Sequence, residues 1–293
     1  MMPQAVRDWR AGGRMLHCRA GSVFVRSAPG SAPTVLLLHG YPSSSFDFRH
    51  IVDRLDGRAW ITLDFPGFGL SDKPRPHRYS LFEHADTVAE VLALTGISGP
   101  IAVLAHDMGT SVATELLARE IEGTLPFELD RAVLSNGSVI LEKATLRPIQ
   151  KLLRGPLGPV AARLANRIVF TREFSRLFSA AHPLSSAEAA AQWALLSRAG
   201  GHRIAHLLTA YLDERVTHAQ RWHGAVRDWD KPLGLLWGTA DPVATTAVLD
   251  GLRALRPAAR VVELPGLGHY PQLEDPDAYG AGARELLRWQ SLS

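Results

Sequence analysis

The chain is poor in several things, and each shortage narrows what it can be. It holds a single cysteine, Cys18, which excludes an intrachain disulfide and a thiolate metal cluster. Cys18 falls in an apparent amino-terminal strand, where a packed thiol is expected. No apolar run approaches the ~20 residues that a membrane helix requires. The stretch from Met1 to Gly13 carries charges and Trp9 in place of the apolar core of a signal peptide. The expected compartment is the cytoplasm. Net charge is only +3, with no long basic run, which argues against a nucleic-acid partner.

What is present suits one large α/β domain carrying an insertion. Hydrophobic residues make up 46% and charged residues 21% of 293 positions, the balance of a folded enzyme and not of a disordered tail. Short apolar runs alternate with longer helical patterns, which predicts a mostly parallel sheet covered by helices. Residues 14–19 and 22–26 read as an opening hairpin with Ala20-Gly21 at its turn. Runs at 34–38, 60–63, 101–104, 131–134, 233–237 and 260–264 read as further strands, making an eight-stranded sheet. Residues 81–94, 110–120 and 276–289 have helical spacing.

From residue 137 to 229 no strand-like run appears, and Leu, Ala, Arg and Phe recur at helical intervals. Breaks fall at Gly155-Pro156, Pro183 and Gly200-Gly201. This predicts a helical lid over 137–229, inserted into a core made of 1–136 and 230–293.

Four motifs carry chemistry, each following a predicted strand. The central one is Ala105-His106-Asp107-Met108-Gly109-Thr110, between the strand 101–104 and a helix. Strand, sharp turn and helix with small flanking residues make a nucleophile elbow, but Asp107 stands where Ser is usual. A seryl oxygen attacks acyl carbon. A carboxylate is suited to displacing a leaving group from saturated carbon, which yields an alkyl-enzyme ester.

Upstream, Leu38-His39-Gly40-Tyr41-Pro42 can fold its backbone over the reacting centre. The amides of Tyr41 and Met108 are the expected oxyanion donors. Downstream, Trp237-Gly238-Thr239-Ala240-Asp241-Pro242 places Asp241 where a triad acid is expected. Leu267-Gly268-His269-Tyr270-Pro271 then supplies the general base. Of twelve histidines only His269 has this context. His39 reads as structural, and His77, His106, His202, His206, His218 and His223 as solvated or core residues. The predicted triad is Asp107, His269 and Asp241.

With these residues in view, nearly the whole chain resembles the α/β-hydrolase superfamily, in the branch of haloalkane dehalogenases and epoxide hydrolases. Asp64-Phe65-Pro66-Gly67-Phe68-Gly69-Leu70-Ser71-Asp72-Lys73-Pro74 belongs to that resemblance. The stretch from Phe65 to Tyr79, Leu134-Ser135-Asn136-Gly137, and the run from His269 to Asp275 are similar to the mesoderm-specific transcript protein group.

The departures are informative. Haloalkane dehalogenases carry a halide-binding Trp after the nucleophile and an Asn after His-Gly; here those positions are Met108 and Tyr41. Fluoroacetate dehalogenases place arginines where this chain has Met108 and Ser111. Epoxide hydrolases protonate the opening oxygen with lid tyrosines, and the resemblance gives that position to Tyr211, the only tyrosine of the predicted lid; helix packing is the competing role for it.

The expected activity is hydrolysis of an epoxide to a diol through an alkyl-enzyme ester, acting on a small apolar organic substrate and water. No cofactor or metal is implied. The alternative is haloalkane dehalogenation with a halide site rebuilt from Trp193 or Trp222. A non-catalytic ligand-binding homologue is a third possibility, against which the intact triad argues.

Overall fold

A computed structural model describes residues 2–289. Its centre is an eight-stranded sheet. β1 (Arg14–Cys18) pairs antiparallel with β2 (Gly21–Ala28), and β2 pairs antiparallel with β4 (Arg58–Leu63). β3 (Ser31–Leu38), β5 (Ile101–His106), β6 (Leu129–Ser135), β7 (Leu233–Gly238) and β8 (Arg260–Leu264) run parallel to their neighbours. The order is β1-β2-β4-β3-β5-β6-β7-β8. All eight expected strands are present.

β5 and β7 are buried along their whole length because helices cover both faces. Hence their sequences are continuous apolar runs without alternation. Strand ends extend beyond the expected limits where polar or small residues still pair, as Ser31 does with Arg58.

The helices follow local signals. Ser80 caps the helix Leu81–Thr95 by accepting from the Phe82 amide, and Gly96 at φ 66° ends it. Asp275 caps the helix Pro276–Arg288, accepting from the amides of Asp277 and Ala278. The helix after β5 begins at Met108, two residues before its expected start, because the turn at Asp107 is complete in one residue.

Between β6 and β7, residues 137–229 form helices and 3-10 turns, with no strand among the described residues. Polar contacts tie this segment to the sheet domain. The Leu81 amide donates to Glu214 at 2.7 Å, and Arg49 pairs with Glu188 at 2.5 Å. Gln192 Nε2 donates to Asp47 at 2.7 Å.

Asp47 is fully buried, with Ser43 Oγ as its second donor. Burial pushes its carboxyl up to about 7, and the two donors offset only part of that. The unfolded chain holds such a group near ~4, so folding favours the protonated acid. Its stabilising contribution is full below about pH 4 and is lost as pH rises through about 7. Asp47→Asn keeps both neighbours hydrogen-bonded and should flatten the fall in Tm over that window. Thermal scans across pH test this; an unchanged slope in the variant would clear Asp47 as its source.

Candidate active site

The elbow exists because β5 delivers the chain at the carboxyl edge of the sheet and a helix leaves at once. Asp107 bridges them at φ 47°, ψ −113°, a conformation that non-glycine residues rarely hold. Close approach enforces glycine on both sides. A Cβ on Gly109 would lie 2.4 Å from the Leu38 carbonyl oxygen, and one on Gly40 would lie 2.5 Å from the Cβ of Asp107. The loop after β3 is thereby pressed against the Asp107 side chain.

That contact delivers a hydrogen bond: the Tyr41 amide donates to Asp107 Oδ2 at 2.8 Å. The Met108 amide is the first of its helix, and amides there have no intrahelical acceptor. On the other side of the carboxylate, His269 Nε2 lies 3.8 Å from Asp107 Oδ1, too far for a direct hydrogen bond. His269 Nδ1 donates to Asp241 Oδ2 at 2.7 Å, which leaves Nε2 as the basic nitrogen. The structure thus brings Asp107, His269, Asp241 and Tyr41 together from four separate loops at one sheet edge.

Asp241 is held by more than the histidine. The amides of Val243 and Ala244 donate to Oδ1 at 2.7 and 3.0 Å, and Asn136 Nδ2 donates to Oδ2 at 2.8 Å. Burial disfavours the charged imidazole of His269, but the charge and hydrogen bond of Asp241, aided by Asp107, outweigh it and raise His269 above its ordinary value.

Tyr211 is buried, with its ring tilted against that of Tyr41 at 5.7 Å. Gln150 Nε2 donates to its hydroxyl at 3.3 Å, leaving the Tyr211 proton free to be donated. Burial drives the phenol well up, and Asp107 adds to this, so the proton stays on at neutral pH. Tyr41, with Gln150, lines the cavity over Asp107, whereas Tyr211 packs behind them and is not among the lining residues. The sequence shows one tyrosine in 137–229; the pairing with a core tyrosine is decided by the fold.

Arg215 was not singled out by its sequence context. It is 1% exposed and no carboxylate forms an ion pair with it among the described residues. Nε donates to Ser111 Oγ at 2.8 Å and Nη2 to the Asp107 carbonyl at 3.2 Å, while the guanidinium lies 4.7 Å from the Tyr211 ring centroid. A buried charge needs compensation, and Asp107 is a neighbouring negative group that favours the cation against burial. In the sequence Ser111 marks the absence of an arginine; in the fold an arginine arrives at Ser111 from another helix.

Two further residues have their roles set by contacts. Buried His106 donates Nε2–H to the His269 carbonyl at 2.7 Å, so it braces the His269 loop and is no idle core histidine. Burial lowers it to about 4, which keeps it neutral. His39 bridges the Gly40 carbonyl and the Phe65 amide, a structural role as expected.

The cavity over Asp107 and His269 is mostly apolar. Leu153, Ala162, Phe170, Phe174 and Trp193 contribute to its walls, with Arg147, Gln150, Glu173 and His202 as polar exceptions. Trp222 is elsewhere: its indole N–H donates to Glu115 at 3.0 Å, which removes it as a halide donor.

A model of the alpha/beta hydrolase fold matches residues 33–276. The chain is 68% identical over 287 residues to the protein named "Putative hydrolase LipZ" of Mycobacterium tuberculosis H37Rv, covering 98% of this chain and 99% of that one. It is 35% identical to the mesoderm-specific transcript protein of Mus musculus, over 93% of this chain and 84% of the relative. The crystal structure of haloalkane dehalogenase DbeA from Bradyrhizobium elkani superposes with a TM-score of 0.78 at 23% identity, over 93% and 96% of the two chains. The chain belongs to the α/β-hydrolase family.

Proposed function

We propose that this protein hydrolyses epoxides to diols through an ester on Asp107. The observation that carries this reading is a carboxylate, in place of a hydroxyl, at the elbow, with the buried phenol of Tyr211 packed on Tyr41, whose amide holds that carboxylate. Asp107 Oδ1 attacks an epoxide carbon and forms a C–O bond. The epoxide C–O bond breaks, and its oxygen takes the proton of Tyr211, with Tyr41 at its side. Residues 137–229 act as the lid that keeps this site poor in water, which strengthens each polar contact in it.

In the second step His269 Nε2 takes a proton from water, whose oxygen adds to Cγ of Asp107. The negative charge that develops on Oδ2 meets the Tyr41 amide already bonded there, with the Met108 amide as the second donor. Collapse breaks the ester bond, and the leaving alkoxide takes the His269 proton. The proton left on the Asp107 carboxyl restores the Tyr211 phenol. Arg215 acts as a positioning residue: it fixes the elbow through the Asp107 carbonyl and balances the carboxylate before attack.

One observation favours a second reading. Trp193 lies in the cavity wall, where an indole N–H could receive halide, so dehalogenation uses the same first step with a different leaving group.

His269→Gln should block the second step and accumulate adduct on Asp107. Intact mass after exposure to epoxides and haloalkanes distinguishes the readings: a whole-epoxide increment supports epoxide hydrolysis, and an alkyl increment without halogen supports dehalogenation. No adduct from a folded variant, with turnover retained in Asp107→Ala, would refute the nucleophile. Tyr211→Phe should slow adduct formation by about 10²-fold while leaving ester hydrolysis within a few-fold; equal slowing of both steps would assign Tyr211 to packing.

The pH dependence has a definite sign. His269 must be neutral to act, so ester hydrolysis should rise with pH through a pKa above the ordinary ~6.5 of histidine. Asp241→Asn removes the charge that raises it and should move that limb to lower pH. Single-turnover rates across pH would show a stationary limb if another group controls the step.

A further inference from the structure

The outer surface of residues 152–169 is unlike the rest of the molecule. Ten large apolar side chains are exposed among the described residues, and six of them fall in this stretch: Leu152, Leu157, Val160, Leu164, Ile168 and Val169. The other four, Met15, Leu94, Ile121 and Val216, come from separate elements. Scattered single apolar residues are ordinary on a surface; a contiguous group marks an interaction site.

Spacing shows that the group is organised. Leu157, Val160 and Leu164 recur at three- and four-residue intervals on and just before the helix Gly158–Leu164, so they share one face. Ala161, Ala162 and Ala165 look the other way, into the cavity above Asp107. Ile168, 82% exposed, adds a further outward apolar side chain on the next helix, Arg167–Ser175. Val169 is exposed and also lines the cavity, so this apolar stretch of chain reaches the candidate active site.

Charge completes the pattern. From Lys151 to Arg172 the sequence holds five basic residues and no acidic one. Arg154 pairs with Asp213, but Lys151, Arg163, Arg167 and Arg172 are exposed and have no carboxylate within 4.0 Å among the described residues. Exposed leucine, isoleucine and valine interleaved with unpaired cations suit a surface that is apolar inside and anionic outside. Symmetric pairing of two copies through this face would set the same cations against each other, which opposes self-association.

We propose that this face docks peripherally on an anionic lipid bilayer, with the apolar side chains entering the headgroup boundary and the cations meeting lipid phosphates. The cavity mouth would then open toward the bilayer, and an apolar substrate could enter without crossing water. The docking does not depend on the chemistry proposed for Asp107, and its test reads binding alone.

The experiment is sedimentation of the full chain with vesicles of phosphatidylcholine mixed equally with phosphatidylglycerol, beside vesicles of phosphatidylcholine alone. Binding should favour the mixed vesicles and weaken with salt. Leu164→Ser and Ile168→Ser should each lower the partition coefficient about tenfold. Arg163→Gln and Arg167→Gln should each lower it about fivefold on anionic vesicles only. All four positions are exposed, so unchanged Tm is expected and confirms folding. The proposal is overturned by no partition to mixed vesicles at low salt, or by partition indifferent to these changes. It is also overturned by a dimer that Leu164→Ser dissociates in ultracentrifugation, or by binding to polyglutamate without vesicle binding, which would assign the face to an acidic protein.

Discussion

The rest of this site depends on the contact between the elbow and the loop after β3. Asp107 sits at positive φ, and its carboxylate receives the Tyr41 amide at 2.8 Å. Neither feature survives alone. A strained residue persists only where its surroundings over-determine it, and here β5, its following helix and the Gly40 loop all converge on one residue. In the mechanism proposed above, the bond that orients the ground-state carboxylate also receives the charge that develops on the same oxygen later. Preorganisation of this kind costs nothing at the moment of reaction, because folding has already oriented the donor.

Charge balance is the second organising constraint. Asp107, His269, Asp241 and Arg215 are all buried within one small volume. Asp241 is surrounded by donors from Asn136, Val243, Ala244 and His269. Arg215 has neutral oxygens of Ser111 and the Asp107 backbone as its direct partners, so Asp107 balances it at longer range. The centre then carries two buried acids against one arginine and one titratable imidazole. Removing any member leaves another without compensation, the situation in which buried charge is most costly. Arg215 ties the helix that carries Tyr211 to the elbow, and so links the proton donor of the proposed mechanism to its nucleophile.

The helical segment between β6 and β7 faces in two directions. Its inner side supplies Leu153, Ala162, Phe170 and Trp193 to the cavity. Its outer side leaves Leu157, Leu164 and Ile168 in solvent. On the helix Gly158–Leu164 alanines face inward and Val160 and Leu164 outward, the reverse of what burial alone would select. Those alanines leave room in the cavity, and the outward side chains are the ones the proposed bilayer docking would cover.

Much of the architecture was legible in the amino-acid order. Strands buried on both faces must be continuous apolar runs, and the residues that leave the sheet edge must be small or turn-forming, so the strands and the loops bearing Asp107, Asp241 and His269 announced themselves. Helix starts were legible where a side chain caps them, as at Ser80 and Asp275. Tertiary structure decided what local pattern cannot encode: which distant side chains meet. Arg215 reaches Ser111, Tyr211 packs on Tyr41, His106 braces the His269 loop, and Trp222 turns to Glu115. Each contact joins residues far apart in the chain through side-chain directions set by packing. Periodicity reports the face on which a residue lies, and only the packed fold determines what that face meets.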